Sequence, residues 1–412
     1  MKKSLLKKYA HLIAVSGANV QKKQPVIIRA SVDQADFVTL VAEECYKAGA
    51  SYVRVDWRWQ PLTKLDYRHQ SVKNLSRVMP WEQAMLEQQT KDLPARIHIL
   101  SEDPMGLRGL NQVKCQKATQ ARYPILKPYQ DAIENQTQWT IAAVPSRAWA
   151  KTVFPELSPT QAVEKLWQAI LSSVHVTEDN DPVQAWKDHN EAFEARCRWL
   201  NEQHFDRLTY HSANGTDFTV WLTARSLWCG GGEATRGGVF FNPNMPTEEI
   251  FTTPWAGRAE GKLVATKPLS WQGQLIDKFW IRFEKGRAVE WDAETGKELL
   301  DRMIGMDEGA GCLGEVALIP ASSPISQSGI LFYQTLFDEN ASCHVALGRA
   351  YKDCIDGYEQ LTEDELKMLG VNDSMIHVDF MIGAPDMTIT GYRGDEEVAV
   401  FVNGEWAEAV EG

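Results

Sequence analysis

Apolar positions in the first half of the chain alternate between short runs and helically spaced stripes. Leu5, Leu6, Tyr9, Leu12 and Ile13 keep helical spacing and predict a short amphipathic helix. Val26-Ile27-Ile28 reads as a short buried strand, and a helix over 35–48 follows, stopped by Gly49. Tyr52-Val53-Arg54-Val55 is the next strand. Helical pattern returns near 81–89, then Arg96 to Leu100 and Thr140 to Val144 read as a third and fourth strand. Strands separated by helices in this way predict a mostly parallel sheet with helices on both faces. Ser158-Pro159-Thr160-Gln161 opens a helix, with Ser as N-cap, Pro at the first helical position and Gln closing a capping box. Its buried stripe is Ala162, Val163, Leu166, Trp167, Ile170 and Leu171. The polar stretch 177–182 leads into a long helix ending near Gln203.

Beyond that helix the texture changes. Strand-like runs at 219–222, 278–283 and 398–402 are separated by glycine, proline and asparagine turns, which predicts mainly antiparallel β structure with a few helices. One helix is capped by Thr362 to Glu365 and ended by Gly370. A chain of 412 residues exceeds one ordinary core. The expectation is an N-terminal α/β domain, residues 1–195, with a mostly parallel sheet. A C-terminal mixed, mainly antiparallel β metal-binding domain, residues 196–412, follows it.

Charge and composition narrow the partners. A formal charge of -12 opposes tight nucleic-acid binding. The apolar share of 44% and charged share of 24% are those of a globular enzyme. Lys7 and Lys8 break the apolar stretch of an otherwise signal-like start, and no run has the length of a membrane span. Seven cysteines, with no Cys-x-x-Cys pair, fit reduced thiols in a cytoplasm.

The chemistry-bearing residues gather late in the chain: Glu249, Glu315, His344, Tyr351, His377 and Asp379. His377 and Asp379 are two apart in a strand-like word, so both side chains point to one face. An imidazole nitrogen and a carboxylate oxygen emerging together suit zinc or cobalt. Glu315 abuts the apolar run Val316 to Ile319, where a carboxylate needs a metal, a cation or a hydrogen-bonding partner. Other motifs are weaker. Gly309 to Gly314 has dinucleotide-fingerprint spacing, but a strand-like run and Pro320 follow where that motif needs a helix. Gly230-Gly231-Gly232 reads as a loop, and Cys343 beside His344 as a small apolar residue rather than a nucleophile. The seven other histidines lack acidic or histidine partners at telling spacing. Trp57 and Trp59 read as packing or interface residues. Glu248 is a candidate general base, with a solvated neighbour as the plainer reading, and Lys267 or Arg349 are candidates to stabilise developing negative charge.

Long words from about residue 210 onward resemble the metallo-aminopeptidase family that contains aminopeptidase T and aminopeptidase S. They are Asn244 to Thr252, Thr266 to Leu269, Leu313 to Leu318, Asn340 to Gly348 running on through Tyr351, and His377 to Gly383. The resemblance implies a pair of divalent ions held by Glu249, Glu315, His344, Tyr351, His377 and Asp379. Zinc or cobalt is the expected metal, with magnesium or manganese as alternatives. It also implies a homodimer that removes N-terminal residues from peptides with a free N-terminus. Water shared by two such ions has a strongly lowered pKa and becomes the nucleophile. Tyr351 is expected to act either as a phenolate ligand or as a donor to the oxyanion, and Glu315 to take part in catalysis as well as in metal binding. Which carboxylate bridges stays open at this point. Another dinuclear hydrolase on the same frame, a dipeptidase or a phosphoesterase, is the second reading; a binding protein is the third.

Overall fold

Four strands of the first half pair in parallel: β1 (Pro25–Ser31), β2 (Tyr52–Arg58), β3 (Ala95–Leu100) and β4 (Trp139–Ala143). The computed structural model describes residues 1–271 and 274–411. A two-residue strand from much later in the chain, β5 (Asn244–Met245), joins the edge beside β4, giving the order β5-β4-β3-β1-β2. Helices α1 (Lys3–Leu12) and α2 (Ala35–Ala48) cover one face, where Val26, Ile28, Ala30, Ile97 and Ile99 are buried. Gly49 ends α2 at φ 109°, a left-handed turn that a side chain would disfavour. Tyr9 fastens α1 to the sheet, its hydroxyl donating to the Ala143 carbonyl and accepting from the Ala143 amide.

The chain divides into two compact units: Met1–Asp188 with Gly232–Pro246, and His189–Gly231 with Thr247–Gly412. The helix Pro159–Ser173 starts with the expected capping box, Ser158 with Gln161, and buries the expected stripe except Val163, which is half-buried. The helix Pro182–Gln203 carries the chain from one unit into the other. Gln112–Ile133 forms a 22-residue helix that the residue pattern does not announce, with Pro124 and Pro128 inside it.

The second unit is built on antiparallel sheets. Its larger sheet has nine strands among the described residues, and Phe218, Phe279, Ile281 and Phe283 from that sheet are fully buried. The smaller sheet runs β9-β8-β7-β6 and then Cys229–Gly230, where β6 is Ile250–Thr252, β7 Leu313–Leu318, β8 His344–Gly348 and β9 His377–Met381. Val316, Leu318, Val345, Leu347, Val378 and Phe380 point into the hydrophobic core, and Phe380 meets Phe279 with ring centroids 5.4 Å apart. The glycine-rich run 309–314 leads into a strand, as expected. Gly314 is a close-approach glycine: a Cβ there would stand 2.4 Å from the carbonyl oxygens of Gly348 and Arg349. Gly230 is strand rather than loop, pairing with Ile250. No helix among the described residues is long and apolar enough to cross a membrane.

Candidate metal centre

The smaller sheet aligns the candidate residues through register. Ala346 of β8 pairs with Glu315 of β7 on one side and with Asp379 of β9 on the other. Directly paired residues share a face, and residues two apart share it too. His344 therefore joins from β8 and His377 from β9, while the intervening positions on that face, Ala317 and Ala346, are too small to fill the space. An irregularity between Leu313 and Glu315 adjusts the strand where the glutamate leaves it. Glu249 enters from the residue before β6, whose Ile250 pairs with Leu318. Its carbonyl lies so close over Gly230 that a Cβ there would be 2.6 Å away.

Two groups of ligand atoms result, each within 4.8 Å: Glu249, Glu315 and His344, and Glu315, His377 and Asp379. Glu315 belongs to both. Its Oε1 is 3.9 Å from His344 Nε2, and its Oε2 is 3.1 Å from His377 Nε2. Glu249 Oε2 lies 3.3 Å from His344 Nε2, and Asp379 Oδ1 lies 3.3 Å from His377 Nε2. The far ring nitrogens are held by carbonyls: His344 Nδ1 by Ser342 at 3.3 Å and His377 Nδ1 by Arg349 at 2.6 Å. That arrangement leaves each Nε2 for the site. Tyr351 packs its ring on His377 and Phe251, with centroids 4.7 and 5.4 Å apart, and its backbone oxygen accepts from Thr253 Oγ1.

The electrostatics call for positive charge. Burial pushes the Glu315 carboxyl up to about 7, against the pull of His377. Burial alone would lower His344 and His377, but the carboxylates around them carry the two up to about 9 and about 11. Asp379 is held low despite its burial, chiefly by His377. The Tyr351 phenol is pushed up by burial and then by Glu315, Asp379 and Glu249. His377 Nε2 and Asp379 Oδ1 are both buried, and neither makes a hydrogen bond with a described residue despite their proximity. Buried polar atoms without partners are costly, and a divalent cation between them would satisfy both. The donor set fits a metal.

Glu339 was missed by sequence reasoning. It is half-buried, and burial together with Glu249, Asp379 and Glu315 raises its carboxyl well above the usual range. It lines a cavity of about 190 Å³ with His377, Asp379, Leu269, Trp271 and Tyr333. The available signal was its place directly before the word Asn340 to Gly348. Glu248 is buried rather than a solvated neighbour, its amide donating to Asn340 Oδ1. Arg349 contributes a carbonyl while its side chain is exposed. Lys267 lines a separate cavity of about 270 Å³ with Ser342 and Cys343. Cys343 is sealed in the core, its thiol pushed up to about 12 by burial, which suits packing and not nucleophilic attack. Among the remaining histidines, His11 does have an acidic partner, Glu44, at 2.8 Å.

Residues 2–406 match the thermophilic metalloprotease (M29) family. The chain belongs to that family. It is 41% identical to aminopeptidase AmpS of Bacillus subtilis, the alignment covering 98% of each chain. It is 39% identical to aminopeptidase T of Thermus aquaticus, over 97% of this chain and 98% of that one. The solved structure of wild-type AmpT from Thermus thermophilus superposes with a TM-score of 0.91 at 38% identity, covering 98% of this chain and 99% of that one. An N-terminal parallel sheet followed by C-terminal antiparallel sheets is thus a fold shared with that structure.

Proposed function

We propose that this M29 metalloprotease is an aminopeptidase whose two groups of ligand atoms would each hold a divalent ion, with Glu315 common to both. Glu249 and His344 would complete one group, and His377 and Asp379 the other. The observation that carries this reading is the division of the Glu315 carboxylate, one oxygen toward each imidazole. When bound, the ions polarise the scissile carbonyl and bring a water to nucleophilic strength near neutral pH. A mixed imidazole and carboxylate set suits zinc or cobalt better than magnesium or manganese, which favour oxygen ligands alone.

The chain's own residues do the positioning. The carbonyls of Ser342 and Arg349 fix both imidazole rings with Nε2 inward. Glu339, in neither of those groups but lining a cavity with His377 and Asp379, would meet the α-ammonium of the substrate. That contact would select peptides with a free N-terminus over acetylated ones. Tyr351, stacked on His377, serves as a further ligand or donates its hydroxyl to the oxyanion. Catalysis on this reading is confined to the metal-binding domain that begins near residue 196. Free cysteines throughout support a cytoplasmic enzyme. Exposed Trp57, Trp59, Leu62 and Leu65 support a homodimer.

Aminoacyl-nitroanilides, their N-acetylated counterparts and phosphate esters test the activity. Hydrolysis of the free-amine compounds alone, abolished by EDTA and restored by zinc or cobalt, is expected. Acetylated substrates cleaved at equal rate would remove the exopeptidase assignment, and preferred cleavage of phosphate esters would favour a phosphoesterase.

A further inference from the structure

The parallel sheet of the first unit has a second face that is unlike its first. Arg29 of β1 pairs with Asp56 of β2 and with His98 of β3, while Ile27 pairs with Arg54 and Arg96, and Ser31 with Arg58. Directly paired residues of a parallel ladder project to one side, so four arginines, one histidine and one aspartate share this face. Asp56 is already engaged, gripped by both prongs of Arg54 at 3.1 and 3.2 Å. The side chains of Arg29, Arg58 and Arg96 make no hydrogen bond or ion pair with any described residue. Arg96 Nε is buried without a partner. Arg29 and Arg58 are exposed, and Arg96 and His98 are half-buried, so the group is open to a ligand.

Such a concentration of like charge is unfavourable by itself. Partial desolvation and the neighbouring guanidinium groups depress both Arg29 and Arg96, with Asp56 pulling Arg29 the other way, and they bring His98 down to about 4. In a chain of net charge -12 the accumulation is a local feature, not a reflection of composition. Arg29 lies midway along β1, Arg96 near the amino end of β3 and Arg58 at the carboxyl end of β2, so the group spreads over the face rather than gathering at one end of the sheet.

We propose that this arginine-lined face binds the carboxylate of a peptide. Guanidinium forks match planar carboxylates two bonds at a time. A phosphoryl ligand fits less well: the connection from β1 to α2, Val32–Gln34, offers Asp33 where phosphate sites use glycine and backbone amides. Ile27, Ile141 and Trp139 lie on the same face and supply apolar surface for adjoining side chains. The site lies outside both metal-ligand groups and does not depend on the proposed aminopeptidase activity.

Calorimetric titration of the metal-loaded full-length protein tests this. The probes are an N-acetylated tetrapeptide with a free C-terminus, its C-terminal amide, the amide carrying an internal glutamate, and inorganic phosphate. The free acid should bind more than about tenfold tighter than the plain amide, with affinity falling as salt rises. The glutamate-bearing amide separates a side-chain carboxylate from a terminal one; binding by either carboxylate source supports the site. Arg29→Gln and Arg96→Gln should each weaken the acid about tenfold or more. Because Arg29 is exposed and repelled by its neighbours, Arg29→Gln should leave the unliganded Tm unchanged or raise it. If Arg96→Gln fails to fold, Arg29→Gln and Arg58→Gln carry the comparison. Equal binding of acid and plain amide, full affinity in the arginine variants, no binding by any peptide, or phosphate binding tighter than every peptide would each overturn the proposal.

Discussion

Glu315 Oε2 stands 3.1 Å from His377 Nε2, although the two residues are 62 positions apart in the chain and two strands apart in the sheet. The contact exists because Ala346 on the strand between them has no side chain long enough to intervene. It predicts unequal consequences for two conservative substitutions. Glu315→Gln should remove both ions, whereas Asp379→Asn should chiefly weaken one. Each loss should be at least the ~10–100-fold typical of outer-shell changes. Metal content after dialysis reads the difference directly. Equal stoichiometry in the two variants would contradict a shared carboxylate.

Tyr351 separates ring from hydroxyl. Its ring packs on Phe251 and His377, so Tyr351→Phe keeps the packing and removes only the oxygen. With the hydroxyl acting as an oxyanion donor, kcat should fall by about 10²–10³ while KM and Tm stay near their starting values. Loss of metal from the same variant would make it a ligand instead. An unchanged kcat would exclude both roles.

Asp307 ties the approach to β7 to the approach to β9. Its carboxylate accepts from the amides of Gly309 and Ala310 at 2.9 Å, from Met375 at 2.7 Å and from Ser374 Oγ. Burial opposes the charge, but these donors hold its pKa below the ordinary 3.8. A depressed carboxyl pKa contributes stability that is complete above the unfolded value and lost as pH falls through the folded one. The Tm of Asp307→Asn should therefore lie below wild type at pH 7, with the gap closing only below about pH 4. Melting curves across pH check this, and a gap that widens on acidification would contradict it.

Gly314 precedes Glu315 where β7 deviates from regular pairing. Gly314→Ala would drive a methyl into the Gly348 and Arg349 carbonyls, costing about 1–3 kcal/mol as overpacked sites do. The Arg349 carbonyl also holds His377, so metal affinity should fall together with stability. A stable variant with normal metal affinity would show that this approach is not constraining.

Local signals along the chain announce much of this fold. Gly49, the Ser158–Gln161 box and the Thr362–Glu365 box end or start helices where propensity and capping put them. The shared face of His377 and Asp379 follows from strand period alone. What stayed hidden depends on pairing between distant segments. The two-residue strand Asn244–Met245 has no periodicity to betray its place beside β4. Gln112–Ile133 hides behind Pro124 and Pro128 and has no strong buried stripe. Arg29 and Arg96 look like isolated charges until the register of β1 and β3 sets them diagonally across one face, Arg29 opposite His98 and Arg96 opposite Ile27. Glu339 carries no pattern of its own, and only the folded chain brings its carboxyl near Glu249, Glu315 and Asp379.

Anomalous diffraction at the zinc and cobalt edges, from crystals grown with those metals, addresses the central claim most directly. Two peaks are expected, one beside Glu249 and His344 and one beside His377 and Asp379, with a Glu315 oxygen on each. A single peak, or two peaks with Glu315 bound to neither or only one, would contradict the bridged pair.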